Sequence, residues 1–386
     1  MTDSIRILHC LRAPVGGLFR HVLDLAGEQA ARGHDVGIVA DSASGDGLTE
    51  ERFAAIEPRL TLGLHRIPMS RHPGLGDLGA AIATRRIARR LGVEILHGHG
   101  AKGGAYARLA AASLKPTGST VRCFYTPHGG TLHFNPSSME GRVYFRLEKL
   151  LARVTDGLIF ESAFSRRKYD GHIGIGATPA RVIPNGLAPA DFVPHRPAPG
   201  AAEFLFVGEL RHLKGVDVLL EALARMSAVR PVRAVIVGAG PEAEDFKALA
   251  ESLGLTDKVM FTGAMPARAA FGLGRCLVVP SRAESFPYIV LEAAAARVPL
   301  IATNVGGIPE IVAGTDTGLV EPGNAEALTS AMNSFLADPA AALERAERLE
   351  SSVARQFTID EMTSRVLGFY AASRSAVKLT RELPQS

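Results

Sequence analysis

Two carboxylates, Glu284 and Glu292, stand with seven residues between them in the stretch LVVPSRAESFPYIVLEAAAARVPLIATNVGGIPEI, residues 277–311. A carboxylate accepts hydrogen bonds from sugar hydroxyls, and an E-x7-E pair also suggests the acid and base of a glycoside hydrolase. The pattern between and around them sets the context. Leu277, Val278 and Val279 form a short apolar run closed by Pro280 and Ser281, as in a buried parallel strand that ends in a loop. A helix is expected to begin near Tyr288 and to carry Glu292 in its second turn. A second apolar strand over 299–303 then runs into Val305, Gly306, Gly307, Ile308, Pro309 and Glu310. Backbone N–H groups at a helix start bear partial positive charge and suit a phosphate. Strand ends, helix start and glycine turn together describe a site for a phosphorylated, hydroxyl-rich ligand.

Other candidate residues stand at strand ends too. Lys214 follows Gly208, Glu209, Leu210, Arg211, His212 and Leu213, between an apolar strand and a helix start. Two cations there, Arg211 and Lys214, suit a diphosphate, one as a bidentate guanidinium and one as a point charge. His128 closes the run Thr126, Pro127, His128, Gly129, Gly130, where it projects into a crevice and can bond a ligand. His97 and His99, also at a strand end, read as packed residues. Gly16 and Gly17 follow the first strand and permit close backbone approach of a ligand, with a plain tight turn as the bland alternative.

Gly238, Ala239, Gly240, Pro241, Glu242 and Ala243 satisfy the dinucleotide fingerprint G-x-G-x-x-A between a strand and a helix. The next strand, 259–261, runs into Thr262 and Gly263 rather than a ribose-binding acid, so a phosphate-binding or structural turn is the stronger reading. No Cys, His and acid spacing fits zinc, no Asp-x-Asp pair follows a strand, and no G-x-S-x-G elbow or P-loop lysine occurs. Metal-independent binding is therefore expected.

These residues need a scaffold, and 386 residues with 47% hydrophobic and 21% charged content supply it for two globular domains. Strand signals at 5–9, 36–40, 62–67, 93–97, 122–126, 157–160 and 181–183 alternate with helices. A stretch rich in proline and alanine, 188–202, reads as a linker. The alternation then restarts with strands at 204–207, 233–237, 259–261, 277–279 and 300–303. The fold expected is α/β, two doubly wound Rossmann-like domains facing across a cleft, with ligands at the carboxyl ends of the strands. Their bounds are 1–187, 203–356 and a last helical segment over 357–386 that returns to the first domain.

The net charge of +4 and pI near 9.0 admit anionic ligands or a membrane surface without arguing for nucleic acid. Arg85, Arg86, Arg89 and Arg90 make one basic helical face; this is a solvated surface or a contact for anionic lipid. The three cysteines, Cys10, Cys123 and Cys276, sit in or beside apolar strands as buried free thiols. MTDSIRILHC lacks the basic and apolar regions of a signal peptide, and no apolar run reaches a spanning length. The expectation is a cytoplasmic protein, peripheral on the inner face of the cell membrane.

Taken together, the pieces at Gly16 and Gly17, 126–129, 183–186, 207–215, 237–241, 280–292 and 305–311 resemble glycosyltransferase family 4. Its members are retaining, nucleotide-sugar-dependent enzymes of the GT-B type. The resemblance implies that Glu292 binds the donor's ribose hydroxyls and that Glu284 faces the donor sugar. It places Lys214 at the leaving diphosphate, His128 beside the sugar's reactive face, and the N–H groups of Tyr288, Ile289 and Val290 around the diphosphate. Gly16, Gly17, Gly238 and Phe286 join the donor-binding set. The family's companion arginine falls at Glu209, with Arg211 as the candidate replacement, and Ser285 and Pro287 stand where the family often has glycines. The activity implied is transfer from a nucleotide diphosphate sugar, UDP or GDP, to a glycan or lipid-linked acceptor in cell-surface polysaccharide assembly. Two other readings of the chain stand beside it: a nicotinamide-dependent oxidoreductase using 238–243, and a nucleotide-sugar-binding protein without turnover.

Overall fold

The structure, a computed structural model, describes residues 4–382, with the side chains of residues 131, 133 and 375–382 outside the description. The chain divides into two compact units, one running to Gly186 and resuming at Ile359, the other Leu187–Thr358.

The first unit is built on seven strands: β1 (Arg6–Leu11), β2 (Asp35–Asp41), β3 (Gly63–Ile67), β4 (Ile95–His99), β5 (Arg122–Thr126), β6 (Gly157–Phe160) and β7 (Ala180–Val182). They pair in the order β3-β2-β1-β4-β5-β6-β7, every pair parallel. Helices cover both faces, so β1 and β4 are buried almost throughout, as their near-continuous apolar runs require. The strand order reverses between β1 and β4, where Ile7 pairs with Ile95, His9 with His97 and Leu11 with His99. That register brings polar rings from two strands to one face of the switch point.

The helix Ile359–Glu382 belongs to this unit. Met362, Val366, Phe369 and Tyr370, at helical spacing, pack with Ile5, Ile7, Leu25, Ile95 and Phe124. The last four residues of the expected segment 357–386 lie outside the described residues.

The second unit repeats the plan with β8 (Ala202–Val207), β9 (Ala234–Val237), β10 (Val259–Gly263), β11 (Gly274–Val279), β12 (Leu300–Thr303) and β13 (Leu319–Val320), ordered β10-β9-β8-β11-β12-β13 and parallel. Its switch point lies between β8 and β11, where Leu205 pairs with Leu277. Strand β13 carries no signal in the sequence, because two residues between Gly318 and Glu321 are too short for a run or an alternation. Residues 188–202 hold a 3-10 turn, Pro189–Phe192, and Leu187 before it is buried in this unit's core, its N–H donating to Phe357 O at 2.9 Å. Among the described residues no helix is long and apolar enough to cross a membrane.

Candidate functional site

At the second unit's switch point, the loops leaving β8 and β11 are locked together. The turn His212–Lys214 ends at Gly215, whose φ of +69° precedes the helix Val216–Ser227. A Cβ at Gly215 would stand 2.0 Å from Pro280 O, so only glycine lets the first loop lie on the exit of β11. Arg282 N–H donates to Leu213 O at 2.8 Å, and the Arg282 guanidinium grips Asp217 bidentately, both bonds at 2.7 Å. Burial alone would raise the Asp217 carboxyl, but the hydrogen bonds and charge of Arg282 hold it below the usual range.

This lock sets Lys214 against Glu284. Lys214 Nζ donates to Glu284 Oε1 at 2.7 Å, and Ser281 Oγ donates to the same oxygen at 2.7 Å. The Glu284 side chain is buried and that of Lys214 is 28% exposed, so the cation forms the solvent side of the pair. Thr303 Oγ1, from β12, donates to Ser281 O at 2.6 Å and fixes the serine's backbone. Gly306, at φ +61°, would place a Cβ 1.8 Å from Glu284 O, so the glycine turn closes directly over the glutamate. Arg211 stands apart from this arrangement, half-exposed, with Nη1 3.6 Å from Glu209 Oε2.

The helix Tyr288–Ala295 begins behind Pro287, which offers no side-chain cap to its first turn. Tyr288 and Ile289 stand in its first turn, where backbone N–H groups carry partial positive charge. The N–H of Val290 donates to Pro287 O at 3.2 Å. Phe286, Pro287, Tyr288 and Val290 have buried side chains, and Phe286 stands edge-on to Phe357 with ring centroids 5.5 Å apart. Ser285 and Ile289 are partly exposed, and Glu292 is half-buried in the second turn.

The glycines of 238–243 have a packing role. A Cβ at Gly238, whose φ is +154°, would meet Gly208 O at 1.8 Å, and one at Gly240 would meet Leu210 O at 2.3 Å. Leu210 N–H donates to Ala239 O at 3.0 Å, and Glu242 N–H to Leu210 O at 3.2 Å. The fingerprint is therefore a seat for the 208–210 loop, which accounts for its glycines without a dinucleotide.

In the first unit, Gly16 and Gly17 form the first turn of the helix Gly16–Ala31, with Gly16 at φ +63° and nothing within 4 Å of its Cβ position. His128 takes φ +50°, a left-handed conformation rare for a residue with a side chain, at the exit of β5. Its Nε2 lies 3.1 Å from His99 Nδ1, and His99 Nε2 lies 3.0 Å from His9 Nδ1. His9 Nε2 is 2.8 Å from Gln29 Oε1, and His21 Nδ1 is 2.9 Å from Asn185 Oδ1. His97 bonds Tyr370 OH at 2.6 Å and Thr126 Oγ1 at 2.9 Å, which satisfies both its nitrogens in the packed role expected of it. His99 is not merely packed: it links His9 to His128. Burial pushes all five rings down, His9 and His21 to about 4, so they are neutral at pH 7.

Sequence reasoning passed over Ser281, the Arg282–Asp217 pair, His9, His21 and Gln29. A histidine inside the apolar run of β1 was the one available sign, since a buried polar ring must find a partner.

Residues 15–191 match the family model described as Glycosyltransferase Family 4, and residues 189–355 the model described as Glycosyl transferases group 1. The chain is 29% identical over 385 residues to a glycogen synthase of Mycobacterium tuberculosis, covering 93% of this chain and 92% of that protein. It is 28% identical over 407 residues to a D-inositol 3-phosphate glycosyltransferase of Acidothermus cellulolyticus, covering 96% and 88%. Among solved structures, a sucrose-phosphate synthase of Thermosynechococcus elongatus superposes with a TM-score of 0.80 at 21% identity, covering 97% of this chain and all of that one. Anabaena HepE in complex with UDP-glucose does so with a TM-score of 0.79 at 19% identity, covering 96% of this chain and all of that one.

Proposed function

The chain belongs to glycosyltransferase family 4, and on that premise we propose that it transfers a sugar, with retention, from a UDP- or GDP-sugar to a glycan or lipid-linked acceptor. The observation that carries this reading is the Lys214–Glu284–Ser281 arrangement at the second unit's switch point, beside an uncapped helix start. As the diphosphate leaves, the anomeric carbon becomes cation-like and negative charge grows on the departing oxygens. Lys214 and the N–H groups of Tyr288 and Ile289 meet that charge. With Ser281 and Lys214 converging on Oε1, Glu284 is held as an orienting acceptor for sugar hydroxyls rather than as an attacking nucleophile. The acceptor hydroxyl then attacks on the face the diphosphate leaves, giving its proton to the departing phosphate oxygen. In the second unit Glu292 binds the ribose and Gly238 belongs to the donor set, with Arg211 as second phosphate cation; the first unit's own candidates for bonding the donor are Gly16, Gly17 and His128.

The same cations make the reaction metal-independent in this reading, so transfer should persist in a chelator. Support for a UDP donor comes from the HepE complex with UDP-glucose. Contact with the inner face of the membrane, where an acceptor in cell-surface polysaccharide assembly would be met, is supported by the helix Met139–Ala152. It exposes Met139, Val143, Leu147 and Leu150 in one stripe beside Arg142, Arg146 and Lys149. Incubating the protein with labelled UDP- and GDP-sugars and candidate acceptors tests the activity. Sugar transfer with release of nucleotide diphosphate supports it, and donor binding without release rejects it.

A further inference from the structure

The first unit gathers histidines from four segments: His9 from β1, His21 from the helix Gly16–Ala31, His97 and His99 from β4, and His128 at the exit of β5. Two trios bring one ring nitrogen of each member within 4.8 Å of the others: His9, His97 and His99, and His21, His99 and His128. Hydrogen bonding separates them. His97 has both nitrogens engaged, by Tyr370 and Thr126, and His9 has both engaged, by Gln29 and His99. The second trio is different, because His21 Nε2 is fully buried and has no hydrogen-bond partner.

The tautomers follow from the acceptors. Asn185 Oδ1 accepts from His21 Nδ1–H, which leaves His21 Nε2 bare. Gln29 Oε1 accepts from His9 Nε2–H, so His9 Nδ1 is bare and accepts from His99 Nε2–H. His99 Nδ1 is then bare as well, facing His128 Nε2 at 3.1 Å. Two imidazoles therefore present lone pairs, each with its other ring nitrogen tied to an outer acceptor, as metal-bound histidines are. A tetrahedral zinc at about 2.0–2.1 Å from each ligand holds two nitrogens roughly 3.4 Å apart, close to the separation found for His99 and His128.

We propose that His21, His99 and His128 form a binding site for a borderline transition-metal ion, zinc by its ligand chemistry, with the fourth position open. Three neutral imidazoles without a carboxylate favour zinc, cobalt, nickel or copper over magnesium and calcium. On binding, the proton on His128 Nε2 moves to its Nδ1, so the trio loads without losing a proton. The partial exposure of His128 gives the ion its entry. The site lies wholly in the first unit; it shares His128 with the sugar-bonding role proposed above, and its test reads metal binding rather than transfer.

The test uses the full chain, stripped with a chelator and titrated with cobalt(II) alone, then with zinc(II). We expect one cobalt per chain with the intense visible bands of a four-coordinate ion, displacement by zinc, and a higher melting temperature with zinc. His21→Asn and His128→Asn should each weaken cobalt binding at least tenfold. X-ray absorption on the wild-type zinc form, which needs no variant to fold, should count three imidazoles. Binding without those bands, a count below three imidazoles, or unchanged affinity in both variants would overturn the site.

Discussion

In the proposed mechanism the transfer chemistry rests on Lys214. It reaches Glu284 Oε1 at 2.7 Å and is only 28% exposed, so its charge is held in place and partly desolvated. Replacing it with alanine should lower turnover about a hundredfold, as loss of one charge-stabilising donor typically does. Steady-state kinetics check this, and unchanged turnover in Lys214→Ala would reject the leaving-group role. The buried histidines give a second expectation at this scale. His9 and His21 have folded-state values near 4 against an ordinary value of 6.5, so below about pH 6.5 the unfolded chain binds protons that the folded chain refuses. Their contribution to stability is complete above pH 6.5 and falls by about 1.4 kcal/mol per pH unit for each ring down to about pH 4. Urea unfolding in chelator at pH 7.5 and 5.5 should differ by roughly 2–3 kcal/mol from His9 and His21 alone, with His97, His99 and His128 adding in the same direction; equal stabilities would contradict the neutral cluster.

The helix Met139–Ala152 shows how an element combines anchoring with exposure. Its inner face places Glu148 against the buried Arg108, with Oε2 accepting from Nη1 at 2.8 Å and Oε1 from Tyr125 OH at 3.0 Å. Glu148→Ala would leave the Arg108 guanidinium buried and unpaired, and should destabilise the protein by about 3–5 kcal/mol, read by chemical unfolding. A loss under about 1 kcal/mol would show that the site relaxes. The outer face carries the apolar and basic stripe, which should bring the protein down with anionic vesicles and not with neutral ones. Absence of that preference in co-sedimentation would remove the membrane reading. The sequence pointed to a different helix, Gly76–Arg90, because four arginines are conspicuous. The stripe on Met139–Ala152 escaped notice because its apolar residues look like core until burial is measured.

Across the molecule, what was legible followed from local physics. Parallel strands covered on both faces are apolar runs, so among the described residues twelve of the thirteen strands announce themselves, while the two-residue β13 does not. Glycine turns mark places of close approach, yet the sequence alone could not say what approaches. At Gly238 it is the Gly208 carbonyl, and at Gly306 the backbone of Glu284. The Lys214–Glu284 contact spans 70 residues and the His9–His99 contact 90, and such pairs exist only once the strand order places β11 beside β8 and β4 beside β1. Retaining transfer from a nucleotide diphosphate sugar would show in the stereochemistry of the product. The protein is incubated with UDP- and GDP-sugars and an acceptor in chelator, and the anomeric configuration of the product is read by NMR. A glycoside with the donor's configuration and one nucleotide diphosphate released per sugar is expected; an inverted product, or none with any donor, would overturn retaining transfer.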